Sequence, residues 1–486
     1  MTTSKKPDLF ESGLKRAEKL PRGARPVSLY QATKPGEEQK RELSRLRAEM
    51  QAACYELDEG RYVDALDRLA QVVGGLEPFV RTDAPTVVSE EQPSVLMASA
   101  RALQGRTYQA SGQKEEGRKA LGEAVEWFER SALGASGQDY SEYGIALHQL
   151  GRYEDAVAQL QKAIELQEKG AETFFYMGSG LNALKRYPEA EQALQQALLT
   201  APERPDILAG LAEAFEGQKR RDEALEAYRK AASAAAEMQD FEEAARDFER
   251  ILALHPDDSD ALIGLGDALR ILGRSADALV PLRHAVELDP QSAVAWFELG
   301  CVRYDLSQYA DALDAFERAL AQRPDFAAVV LLQKGSTLRL MERFDEAVGV
   351  LDEALKLAPG EPWALMEKGV ALSFLGRNEQ ALAALDQGLE QVPDNPFALA
   401  HKGRVLRALG RSEEAVAPLR QATEAGTLPA WVYTELGGAL YDLGQYPEAL
   451  EAFDQALELD PRDVEALAQK GSTLRLMERF DEAVGV

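Results

Sequence analysis

The feature that most constrains this 486-residue chain is an alanine that returns every 34 residues. It follows a short polar turn each time, at Ala156, Ala190, Ala224, Ala244, Ala278, Ala312, Ala347, Ala381, Ala415, Ala449 and Ala483. Nearly every step is 34; the step from Ala224 to Ala244 is 20. Twelve residues earlier stands a second small residue, including Gly144, Gly178, Ala212, Gly266, Gly300, Gly335, Gly369, Gly403 and Gly437. Seven residues later stands a third, from Ala163 through Ala319 to Ala456. Prolines close many units, as at Pro256, Pro290, Pro324 and Pro461. A fixed period of this length marks an array of one supersecondary unit, not a set of unrelated domains.

Each period reads as two amphipathic helices of about a dozen residues joined by a turn such as Leu-Gly-Arg. Small residues at three fixed places let the two backbones approach, and larger ones such as Leu299 and Phe316 fill what remains. A proline stops the second helix because it cannot continue the hydrogen-bond ladder. Polar residues beyond it, as in Asp-Pro-Gln-Ser (289–292) and Pro-Asp-Asn-Pro (393–396), suit the cap of the next helix. One hairpin cannot bury its own apolar face, so neighbours must stack.

Residues Trp296, Leu299, Gly300, Tyr309, Ala312, Phe316, Ala319 and Pro324 together resemble the tetratricopeptide repeat. Trp431, Leu436, Gly437, Tyr446, Ala449, Phe453, Ala456 and Pro461 repeat the match. Arg303 departs from it, standing where the family pattern wants a large apolar residue. The resemblance covers about residue 41 to the end. It implies an all-α fold, a right-handed alpha-alpha superhelix (TPR solenoid) of about 12 helix-turn-helix repeats. Its packing positions include Gly144, Ala156, Gly178, Ala190, Ala224, Ala278, Gly300, Ala312, Ala347, Ala381, Ala415 and Ala449. It also implies that first helices line a concave, partner-binding face, with exposed positions one and four places after the packing glycine. Those places hold Asn182, Arg270, Tyr304, Arg339, Arg404, Arg407, Tyr441 and Arg475 among others. Arginine is concentrated there towards the C-terminus of an otherwise acidic chain, and planar guanidinium groups suit carboxylates. The expected function is a protein-interaction scaffold that holds a protein or peptide partner, the sharper expectation being an acidic peptide. The alternative is the recognition region of a larger enzyme, such as a glycosyltransferase or peptidase. Lys334, Lys368, Lys402 and Lys470 stand at a normally apolar place, where their stems are expected to lie on the core and their ammonium groups to reach water.

The array is expected to have four parts. Residues 1–40 form a leader with nine Lys/Arg, five Asp/Glu and four prolines, and with a short helix around Asp8–Leu20. Residues 41–135 hold worn units closed at Pro78 and a loop at 79–93; residues 136–256 form a first lobe; residues 257–486 form a regular lobe with an incomplete last repeat. The short step is expected to produce three consecutive helices, 206–217, 221–237 and 241–254. Residues 333–350 and 469–486 are identical, QKGSTLRLMERFDEAVGV in both. A recent duplication is the simplest cause, since packing alone would not demand identity at places expected to be exposed, such as Thr337 and Glu342. The open C-terminal repeat suggests either truncation or self-association.

A formal charge of -27 repels phosphate backbones and argues against nucleic-acid binding. No apolar stretch approaches the roughly 18 residues of a membrane span, and no secretory signal is evident, so a cytoplasmic location is the expectation. The two cysteines offer neither a disulfide framework nor a metal pair, and no catalytic constellation, metal or cofactor site is expected. The acidic run Asp257, Asp258 and Asp260 reads as capping, because it lacks the glycine and terminal glutamate of a calcium loop.

Overall fold

A computed structural model describes residues 35–80, 92–131, 136–425 and 429–485. The expected helix at Asp8–Leu20, with residues 1–34 of the leader, lies outside them, as does most of the loop expected at 79–93. The regular structure of the described residues is helical throughout, and contacts group it into two units, residues 1–180 and 181–486.

In the first unit, α1 (Pro35–Asp58) pairs with α2 (Tyr62–Val80), α3 (Pro93–Ala110) with α4 (Lys114–Arg130), and α5 (Gly137–Gln149) with α6 (Tyr153–Glu165). Pro78, expected to close its unit, instead sits inside α2, which runs on to Val80. Helix α7 (Ala171–Ala183) carries the boundary between the units.

The second unit continues with α8 (Tyr187–Leu198), α9 (Pro205–Gly217), α10 (Arg221–Glu237) and α11 (Phe241–Leu254). Here the missing fourteen residues have a structural meaning. Helix α10 packs on both α9 and α11, so it closes one hairpin and opens the next. Seven regular pairs follow: α12 (Ser259–Ile271) with α13 (Ser275–Leu288), α14 (Ala293–Asp305) with α15 (Tyr309–Ala321), and α16 (Ala327–Leu340) with α17 (Phe344–Leu357). Then come α18 (Pro362–Phe374) with α19 (Asn378–Gln391), α20 (Pro396–Ala408) with α21 (Ser412–Glu424), α22 (Ala430–Asp442) with α23 (Tyr446–Leu459), and α24 (Val464–Leu476) with α25 (Phe480–Val484).

The recurring alanines do what their spacing requires. Ala156, Ala190, Ala224, Ala278, Ala312, Ala347, Ala381, Ala415 and Ala449 are all fully buried. Opposite them, a methyl group added at Gly144 would lie 2.5 Å from Leu160, at Gly300 2.5 Å from Phe316, and at Gly403 2.3 Å from Leu419. The larger side chain of the second helix therefore lies directly on the glycine, leaving no room there for a methyl group. Gly178 is likewise buried, in α7.

The Leu-Gly-Arg turn is economical. In Leu150-Gly151-Arg152 the glycine takes φ 80°, and its N–H donates to the His148 carbonyl while Arg152 N–H donates to Leu147. That arrangement satisfies the open carbonyls at the end of α5. Arg152 is also the N-cap of α6, and its guanidinium bonds Asp155 in the first turn at 2.7 Å. The same Arg-to-acid clasp recurs at Arg186–Glu189, Arg274–Asp277, Arg343–Glu346 and Arg411–Glu414. First helices use side-chain caps instead: Asp258, Ser292, Asn395 and Asp463 each accept from an N–H three residues on. Capping thus accounts for Asp258 in the acidic run.

One expectation needs correction and another gains a partner. Thr337 is fully buried, donating to the Gln333 carbonyl, so identity at that place has a packing reason. The lysine ammonium groups reach the surface and meet carboxylates there. Lys368, Lys402 and Lys470 reach Asp352, Asp386 and Asp454 of the preceding second helix at 2.6–2.7 Å, and Lys334 reaches Glu317 at 2.9 Å. A long stem over apolar surface delivers the charge to a carboxylate that is one helix away.

Candidate protein-interaction face

In the second unit, successive first helices touch one another directly: α12 with α14, α14 with α16, and so on to α22 with α24. The residues four places after each packing glycine therefore look across to the next first helix. That geometry decides what the arginines do.

Arg270 bonds Asp267 on its own helix at 2.8 Å and reaches Glu298 of α14 at 3.5 Å. Arg339 pairs with Glu367 of α18, both largely buried. Arg407 pairs with Glu435 of α22 at 2.8 Å and approaches Asp442 at 3.4 Å. Each arginine meets a glutamate 28 residues on, so every second unit carries one rung between first helices. Arg404 shares Glu435 at 3.1 Å. Room for the Arg407 guanidinium comes from Gly438, where a methyl group would stand 2.3 Å from Cζ. Low local water content strengthens such pairs but makes an unpartnered member costly. Burial, reinforced by Asp267 and opposed by Arg270, pushes the Glu298 carboxyl up to about 7.

The remaining expected positions divide. Tyr304 and Tyr441 are half-buried, Tyr304 edge-on to Tyr309 at 5.9 Å and Tyr441 tilted against Tyr446 at 5.8 Å. Asn182 is buried rather than displayed: its amide donates to the Gly210 carbonyl at 2.8 Å, tying α7 to α9. Arg475 is exposed and, among the described residues, has no ion pair.

The structure adds an aromatic group that the repeat alignment passed over. His401 is buried, with Phe397 at 4.6 Å, Trp431 at 4.9 Å and Phe374 at 6.1 Å between ring centroids. Its Nδ1 has no partner among the described residues, and burial, with Arg404 and Arg339 nearby, drives its pKa down to about 3, leaving the ring neutral. Phe374 stacks face to face on Phe344 at 4.8 Å. The Arg404 guanidinium lies 5.3 Å from the Phe374 ring and 5.0 Å from Trp431, within cation–π range. The signal was present in the sequence, since Trp363, Phe397 and Trp431 stand at the same place in three successive units.

Other features offer little room for chemistry. A cavity of about 60 Å³ in the first unit, lined by Met50, Cys54, Ser99, Arg106, Glu142 and Gln149, has space for a few waters. No group of three or more His, Cys, Asp and Glu side chains among the described residues is arranged to hold a metal. No helix there is long and apolar enough to cross a membrane.

Models of the tetratricopeptide repeat match residues 181–237, 230–293, 297–362, 338–400 and 430–463, and a TPR repeat model matches 144–179. Protein FlbA of Caulobacter vibrioides is 31% identical over 121 residues, covering 25% of this chain and 20% of that protein. The probable UDP-N-acetylglucosamine–peptide N-acetylglucosaminyltransferase SPINDLY of Hordeum vulgare is 27% identical over 123 residues, 24% of this chain and 13% of that protein. The chain thus spans a fifth or less of these relatives' length. Among solved structures, the APC/C hetero-tetramer Cut9–Hcn1 aligns over 89% of this chain and 96% of its own, with TM-score 0.45 and 14% identity. Pseudomonas aeruginosa PilF aligns over 44% and 97%, with TM-score 0.40 and 24% identity.

Proposed function

Because the chain belongs to the tetratricopeptide repeat family, we propose that it is a non-catalytic scaffold whose first helices α14 to α22 capture a peptide segment of a partner protein. What carries this reading is a row of arginine, tyrosine and aromatic side chains repeated at fixed helix positions over tightly packed hairpins. Tyrosine and tryptophan offer flat contact area at low entropic cost, and a rigid support keeps them preorganised. Arginines already paired on the face present the edges of their guanidinium groups without leaving a buried charge unmatched. An acidic peptide, the sharper expectation above, would have to compete with Glu367 and Glu435 for the same guanidinium groups. It is the weaker form of the proposal.

A displayed library of random peptides, selected on the whole chain and mapped by hydrogen exchange, tests the reading. Protection should fall on α16, α18, α20 and α22. Selected peptides that protect only the second helices would refute it.

The similarity to the Hordeum glycosyltransferase supports a second reading, in which this face presents partners to a catalytic domain of the same protein. Sequencing the complete reading frame separates the two.

A further inference from the structure

Glu142 of α5 stands two places before its packing glycine, Gly144. Glu298, Glu367 and Glu435 hold the same register in the second unit. Each of those three meets an arginine of the preceding first helix, Arg270 at 3.5 Å, Arg339 at 2.5 Å and Arg407 at 2.8 Å. Glu142 has no such partner among the described residues. The place in α3 that would supply it, four after Gly105, carries Gln109, which packs on Gly117 of α4. Arg106 lies nearby but reaches Glu172 of α7, at 3.6 Å.

Beside this carboxyl lies the cavity of about 60 Å³, walled by α1, α3 and α5. Two acceptors of its lining residues, Glu142 Oε2 and Gln149 Oε1, are sealed from solvent and have no hydrogen-bond partner among the described residues. The other Glu142 oxygen accepts from Gln138 at 3.3 Å. A matching occupant brings N–H donors, and a positive charge answers the carboxylate. At about 10–15 Å³ for each water-sized group, the space suits the roughly four heavy atoms of a guanidinium. Its donors lie in one plane on several edges, so one edge serves Glu142 while another remains for Gln149. Met50, Leu103 and Ile145 give apolar wall to its faces. Cys54, which is exposed, lines the same space and places its mouth at α1.

We propose that the cavity between α1, α3 and α5 binds a guanidinium group, carried by a small molecule or by an arginine of a partner. The site lies in the first unit and stands independently of peptide capture by α14 to α22. Calorimetric titration of the whole chain with methylguanidinium should give saturable binding with Kd about 0.1–1 mM. Urea has similar planar donors without the charge, and tetramethylammonium has the charge without N–H groups. Each should bind at least about 10-fold more weakly. Burial raises the Glu142 carboxyl above its usual range; Asp139 adds to this, while Ser99, Gln138 and Arg106 oppose it, and Cys54 of α1 lies alongside. Guanidinium binding needs the carboxylate and expels its proton, so affinity should fall as pH is lowered from about 8 to 5. Glu142→Gln should keep full helicity, weaken methylguanidinium binding about 10-fold or more, and remove that pH dependence. Bound methylguanidinium should also slow alkylation of Cys54, a readout on the parent chain that needs no substitution. An end-blocked Gly-Arg-Gly peptide separates the sources: tighter binding than methylguanidinium assigns the site to a partner's arginine, weaker binding to a small molecule. Absence of saturable methylguanidinium binding up to about 10 mM, equal binding of urea, or unchanged affinity in Glu142→Gln overturns the proposal and leaves the cavity to water.

Discussion

The tight hairpin contact can be tested with one chemical change made in two places. Gly300 of α14 and Gly349 of α17 are both helical glycines. A methyl group at Gly300 would lie 2.5, 2.7 and 3.1 Å from three atoms of the Phe316 ring, which is itself fully buried. Favourable carbon contacts begin near 3.5 Å, so ring or helix must move by about 1 Å. Overpacking of this kind costs about 1–3 kcal/mol, while replacing a helical glycine by alanine returns up to about 1 kcal/mol. Gly300→Ala should therefore destabilise its hairpin by about 1–2 kcal/mol. At Gly349 the same methyl meets nothing within 4 Å, so Gly349→Ala should stabilise by about 0.5–1 kcal/mol. Stacked repeats open locally, so a single melting temperature averages over unrelated units. Native-state hydrogen exchange resolves them. Amides of α14 and α15 should exchange about 5- to 30-fold faster in Gly300→Ala, and those of α16 and α17 slower in Gly349→Ala. Unchanged or slower exchange around Gly300 would refute the claim that the Phe316 ring needs a bare glycine beneath it. Ala212, buried at the same register in α9, shows that this hairpin accommodates a methyl group where the others carry glycine.

Asp247 of α11 is buried, its Oδ2 has no partner among the described residues, and burial, aided by Glu243, pushes its pKa up to about 7. A carboxyl raised on folding stabilises below its unfolded value near 4, and that stability is lost as pH climbs through 7. Urea unfolding of Asp247→Asn should show less loss of stability between about pH 4 and 7 than the parent, and a variant with the parent's slope would contradict this assignment. Glu342 holds φ 58° in the turn after α16, where an L-residue is strained. Glu342→Gly should stabilise by about 0.5–1 kcal/mol in the same assay. Cys301 is buried and its thiol is pushed up by burial, whereas Cys54 is exposed. A thiol reagent should modify Cys54 in the native chain and Cys301 only on unfolding. Equal rates would place Cys301 wrongly.

The first-helix face was only partly legible before the structure. The arginines were visible at their register positions, and so were the glutamates 28 residues on. A 34-residue alignment compares like positions, however, and it hides a contact that runs from one position to a different one in the next unit. Asn182 was misplaced for a related reason. Its position faces the next first helix, and here the Gly210 carbonyl of α9 is within reach of a side-chain amide. Trp363, Phe397 and Trp431 were in register as well, but no periodicity argument distinguishes an exposed ring from a packed one.

The sequence by itself determined the hairpins, their turns and the small residues that join them, because those depend on interactions within about 30 residues and repeat often enough to be read. Helix α10 follows from the same local rule, since deleting fourteen residues removes one helix and leaves its neighbours to share. Tertiary structure decided which charges are spent. Asn182 and Arg339 hold the same register position, four places after the packing glycine, yet Asn182 donates to the Gly210 carbonyl while Arg339 pairs with Glu367 on the next first helix. Burial and pairing belong to the neighbouring helix rather than to the residue, so one register position acquires different chemistry wherever that neighbour differs.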